Sequence, residues 1–181
     1  MKKNLKLMAF ALLAIGMMAC GGGEKKITQK DLQATESALA NDKGVLNMEM
    51  VPKAIEQYSA FAEQNPDDAV APEWLFKAFQ LADKTKDFGQ AKELGDKLMK
   101  TYPKYEYIPV VMFMMARDVY DQGCHDLDMA RAMYDRLVSE FPESKWASDA
   151  KVMRDQYLGL TDDEIMARIA MSQMEEVEGE F

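Results

Sequence analysis

The chain has 181 residues, and its 31 acidic side chains outnumber 22 basic ones for a net charge of −9. Such a surface repels polyanions and anionic lipid heads, which excludes nucleic acid as a natural partner. One histidine and two cysteines leave few groups for acid–base or nucleophilic chemistry. From the N-terminus, Lys2, Lys3 and Lys6 form a basic lead, and Leu7 to Ala19 is a run of 13 apolar or small residues. A basic lead before a short apolar run has the form of a secretion signal. As a helix the run rises roughly 20 Å, short of a hydrocarbon core about 30 Å thick, so a permanent span is not expected. Without residues 1–19 the chain keeps 162 residues, enough for one domain with a real core, and 31 acids against 19 bases. Only Cys124 then remains besides Cys20, so no internal disulfide is expected.

The junction Met17-Met18-Ala19-Cys20, followed by Gly21-Gly22-Gly23, resembles the lipobox of bacterial lipoproteins. That resemblance implies cleavage between Ala19 and Cys20 and a lipid anchor on Cys20. With Gly21 next to the cysteine, it also implies sorting to the cell envelope, at the outer membrane. Ordinary secretion with cleavage near Ala19 is the alternative. Several acyl chains hold a protein stably where one does not. The glycines suit a flexible tether over residues 20–27.

A helical domain is expected over residues 28–176, with an acidic tail over 175–181. Thr28 to Ala40 reads as an opening helix with Leu32 and Leu39 on one face, stopped by Asn41-Asp42-Lys43-Gly44. An internal repeat follows. Ala54, Ala91 and Ala130 are each followed 12 residues later by a proline, at Pro66, Pro103 and Pro142. Val51, Phe88 and Leu127 lie three before each alanine, and Phe61, Leu98 and Leu137 lie seven after it. Tyr58 and Tyr134 lie four after, where the middle copy has Gly95. These offsets trace one face of a 3.6-residue helix, and proline ends it. A second apolar run follows each proline: Trp74-Leu75-Phe76 with Phe79, then Val110 to Met115, then Ala150 to Met153. Pro72 and Pro109 suit a first helical turn, and Ser144 suits a cap before Trp146 and Ala147. The expected units span residues 51–87, 88–126 and 127–160. An end helix over 162–174 opens with the capping box Thr161-Asp162-Asp163-Glu164.

A proline after A-x3-Y-x2-L-x4 resembles the second helix of a tetratricopeptide repeat and its exit. The stretch Tyr134 to Ala147, with Ala150, looks like the variant found in envelope lipoproteins of the barrel-assembly and Tol-Pal-coordinator type. The resemblance covers Val51 to Leu158. The units exceed the usual length of about 34 residues, and the position of Phe61, Leu98 and Leu137 is larger than the usual alanine. The resemblance implies an all-α solenoid of about 7–8 antiparallel helices; the scarcity of chemistry-bearing residues leads to the expectation of no enzymatic activity. Other envelope proteins or peptides are the implied partners. It also implies a groove lined by the first helix of each pair, which nominates Phe79, Arg117 and Tyr120 as partner contacts.

Other candidate chemistry competes with packing. Cys124 and His125 are adjacent in a loop between units, a poor geometry for a nucleophile and its base. Met112, Met114 and Met115 invite a copper(I) or small-ligand carrier, but thioethers also fill irregular helix interfaces. The acidic pairs Asp67-Asp68, Asp162-Asp163 and Glu175-Glu176 lack the alternation of a calcium loop. No Walker loop, zinc spacing or dinucleotide fingerprint is present. No cofactor is expected. The leading expectation is a protein-binding scaffold, and the alternatives are a self-assembling structural lipoprotein and a small-ligand or metal carrier.

Overall fold

Three helices of 14 residues begin and end at matching places: α2 (Val51–Gln64), α4 (Phe88–Thr101) and α6 (Leu127–Glu140). The computed structural model that shows them describes residues 26–40 and 45–178. The other helices are α1 (Gln29–Leu39), α3 (Ala71–Lys84), α5 (Ile108–Met114), α7 (Lys145–Val152) and α8 (Asp162–Glu178). Two of them continue as π-helix, α5 through Met115–Gly123 and α7 through Met153–Tyr157. The described residues are thus all-helical, apart from one isolated bridge between Ala40 and Leu46.

Why the three 14-residue helices match is visible in their ends. Ala54, Ala91 and Ala130, each the fourth residue, are fully buried. The backbone N–H groups of Asn65, Tyr102 and Phe141 donate to the carbonyls of Phe61, Leu98 and Leu137 at 3.0, 2.9 and 3.0 Å. Proline comes next each time and has no N–H to continue the ladder. The turns are built alike as well: Asp68, Tyr105 and Ser144 donate back to Asn65, Tyr102 and Phe141, and Ala71, Ile108 and Ala147 donate back to Asp68, Tyr105 and Ser144. Pro72 and Pro109 sit in the first turns of α3 and α5. In the third copy the Ser144 hydroxyl accepts from the Trp146 N–H at 3.2 Å. That cap starts α7 three residues after its proline instead of five.

Each helix from α1 to α7 packs chiefly on the one before and the one after it, with α5 also meeting α7. Apolar side chains fill these contacts, including Leu32, Tyr58, Leu75, Leu98, Val111 and Leu137, all at 1% exposure or less. Gly95 explains its own departure from the tyrosine pattern. A Cβ there would stand 2.4 Å from the Met115 sulfur, so Met115 of α5 occupies the space a larger residue would need.

The ends differ from expectation in three places. Ile27, placed in the expected tether, is held instead: its N–H donates to the Gln64 side chain at 2.9 Å and its side chain packs on the core. Thr28 caps α1 through a box with Asp31. The end helix runs to Glu178 instead of 174, because the first helix breaker in its path is Gly179. Its capping box is present: Thr161 and Glu164 exchange bonds of 2.8 and 3.3 Å. The leader, Ala19, Cys20, the glycines and the expected stop at residues 41–44 lie outside the described residues.

Candidate functional site

On the face formed by α1, α3 and α5, two clefts meet at Lys84. One, of about 410 Å³, lies between α1 and α3 and is lined by Glu36, Leu39, Lys77, Gln80 and Lys84. Lys77 bridges its walls, 2.6 Å from Glu36. The other, of about 360 Å³, lies between α3, the π-helical part of α5 and the start of α8, and includes Asp83, Arg117, Asp118, Gln122 and Asp162.

The second cleft gathers charge around two partly buried carboxyls, Asp83 and Asp118. Arg117 reaches Asp162 at 3.0 Å and Asp118 at 3.6 Å. Burial pushes the Asp118 carboxyl up to about 6, the Asp83 and Asp162 carboxylates add to this, and Arg117 opposes it. Asp83 is likewise raised, mainly by burial, and its Oδ1 is buried without a hydrogen-bond partner. Desolvation disfavours the charged form of a carboxyl, and a second carboxylate nearby does the same.

The π turns determine which side chains reach this place. Their wider register ends with the Cys124 N–H donating to Val119 five residues back, at 2.8 Å. From this segment Asp121 accepts from the Gly159 N–H at 3.2 Å, and Gln122 donates to the Leu160 carbonyl at 2.7 Å. Gly159 has φ of 81°, which suits glycine alone without strain. Hence one short segment supplies Arg117 to the cleft and also anchors the α7–α8 loop. Tyr134 of α6 lies behind, its hydroxyl buried without a hydrogen bond and its acidity suppressed by burial and then by Asp121. Phe88 packs its ring on Gly123, where a Cβ would stand 2.4 Å away, and so closes the π segment.

Of the three nominated contacts, only Arg117 faces a cleft. Phe79 is fully buried and Tyr120 is 4% exposed, which corrects their reading as partner contacts. Both lie on helices that line the clefts, but their side chains turn inward to the core. Met112 and Met115 are fully buried, and Met114 packs against the core. Cys124 is an exposed free thiol and His125 adopts φ of 54° in the turn to α6. Among the described residues, no three His, Cys, Asp or Glu side chains gather as a metal site. No described helix is long and apolar enough to cross a membrane.

The sequence reading missed Asp83, Asp118 and Asp121. Asp118 and Asp121 follow Arg117 inside an apolar run, a pattern of charge on a buried helix that marks them in retrospect. Asp83 has no such local mark. No protein-family model and no curated protein matches the chain.

Proposed function

We propose that this protein is a non-enzymatic scaffold that binds other proteins, built from tetratricopeptide-like helical hairpins and lipid-anchored at Cys20 in the bacterial envelope. The observation that carries the reading is the pair of clefts meeting at Lys84. They lie on α1, α3 and α5, the first helices of successive pairs, where such repeats present their groove. The matching alanines, helix lengths and proline turns support a stacked repeat, in which each unit contacts its neighbours. A role in outer-membrane assembly or envelope coordination follows from the sequence resemblance.

A photo-crosslinking residue at Gln80 or Arg117, in intact cells, should yield a discrete adduct absent from a label at Lys151. Equal or absent adducts at all three positions would remove this reading. Labelled palmitate should enter the wild type and not Cys20→Ala.

Self-assembly is a second reading, favoured by Met166, Met171 and Met174 on α8, each at least 64% exposed. Exposed apolar stripes mark interaction surfaces. Sedimentation of the purified protein as a discrete oligomer would favour it.

A further inference from the structure

The walls of a separate trough are α2 and α4, and it shares no lining residue with the cleft at Arg117. Its volume is about 610 Å³. An adjoining hollow of about 540 Å³ between α1 and α2 shares Glu56, Ala60 and Glu63 with it. The floor is apolar: Val51, Ile55 and Leu94 lie there, already largely covered. Ser59 lies in the same floor, with its hydroxyl buried and without a hydrogen-bond partner. A buried hydroxyl in that state is unusual.

The rim is acidic. Glu56, Glu63, Asp87 and Glu93 face Lys97 in the trough, and Asp31 and Lys53 join them in the adjoining hollow. Lys97 already pairs with Glu63 across the two walls, and Asp87 caps α4 by accepting from the Gln90 N–H. Glu56 on α2 and Glu93 on α4 are both exposed, and neither has an ion-pair partner among the described residues. Two unpaired carboxylates on opposite walls of the trough disfavour an acidic visitor. They attract a cation that brings its own apolar surface.

We infer that this trough docks a short amphipathic segment of a partner protein, with apolar side chains on the floor and Lys or Arg beside Glu56 and Glu93. Charge complementarity selects this occupant. A second copy of this acidic chain would bring like charge to the rim, and a lipid surface offers no matched pair of cations. An amphipathic helix laid in a groove uses such anchors at spacings of three and four residues. Opposed charges at the rim govern partner choice and encounter rate. The inference does not rest on the repeat, on the lipid anchor or on the Arg117 cleft.

The test uses the full chain and a fluorescent 14-residue helical peptide with leucines on one face and lysines on its flanks. Its controls are a twin with glutamates replacing the lysines, and phosphatidylcholine vesicles. The lysine peptide should bind saturably and at least about tenfold more tightly than its twin, with the difference shrinking as salt rises. Glu56→Gln with Glu93→Gln, both at exposed sites that leave folding intact, should weaken binding about five- to tenfold. Ala60→Trp should block the trough, and Arg117→Ala should change nothing. Several results would overturn the inference: no binding, equal binding of the twin, indifference to the double substitution, capture by the vesicles, or displacement of peptide by self-association. Loss of binding with Arg117→Ala would assign the peptide to the other cleft.

Discussion

The stretch from α2 to α4 and the stretch from α5 to α8 are built from similar local sequence yet end differently. From α2 to α4, three regular α-helices meet through apolar contacts such as Phe79, Leu75 and Leu98. From α5 onward, two helices pass into π turns, and partly buried carboxylates stand at the contacts. The difference teaches what each kind of burial demands. Apolar volume can be filled by many rotamers while the helix keeps its regular register. A carboxylate must meet a particular donor, and a π segment changes which side chains point that way. So Asp121 finds the Gly159 N–H and Arg117 finds Asp162, at the expense of regular geometry.

The comparison breaks most visibly if the apolar half is cut. Phe79→Ala should lower stability by about 3–5 kcal/mol, measured by denaturant unfolding, because it opens a cavity in a filled core. A loss below about 1 kcal/mol would mean that the side chain does not carry the packing assigned to it. At the seam between the halves, Gly95→Leu should cost about 2–3 kcal/mol by overpacking against Met115. Combined with Met115→Ala, the total should fall short of the sum of the two single effects by about 1 kcal/mol. Strict additivity would show that α4 and α5 do not press together there.

The charged half is sharpened by pH. Asp118 holds its proton up to about pH 6 in the folded chain, whereas an unfolded aspartate loses it near about 3.9. Between those values the folded state binds more protons, so this group's contribution to stability falls as pH rises, and the loss is complete above about 6. Asp118→Asn should therefore stabilise the protein by about 1–2 kcal/mol at pH 7.5, after allowing for the lost attraction to Arg117. At pH 3.5 it should make little difference. Equal effects at both pH values would contradict a carboxylate desolvated by folding. The smallest effect belongs to the chain end: Thr161→Ala removes one capping bond and should cost about 1 kcal/mol. Amide exchange should rise in α8 and stay unchanged in α2 to α4, since α8 makes few contacts with the rest.

Much of the helical framework was legible before any folding. Prolines after a fixed count, a serine before Trp146 and the Thr161 to Glu164 box act within a few residues, through backbone hydrogen bonds and steric limits that neighbours alone impose. Periodic alanines and leucines likewise announced which stripe of α2, α4 and α6 turns inward, except at its first position, where Phe88 is only partly buried and Leu127 is 42% exposed because α6 begins there at the edge of the packing. They did not announce what lies opposite. Phe79 and Tyr120 looked like surface for a partner, and only the approach of neighbouring helices made them core. Gly95 looked like an interruption until Met115 arrived against it.

The candidate cleft shows the same limit more sharply. Asp83 and Asp118 come from helices separated by α4, so no local pattern ties one carboxylate to the other. By itself the sequence determined where α2, α4 and α6 start and stop and most of the stripe they bury, because those depend on short-range bonding and period. The tertiary structure alone decided the π turns, the raised proton affinity of Asp118 and the two polar surfaces, because those depend on distances between elements remote in the chain.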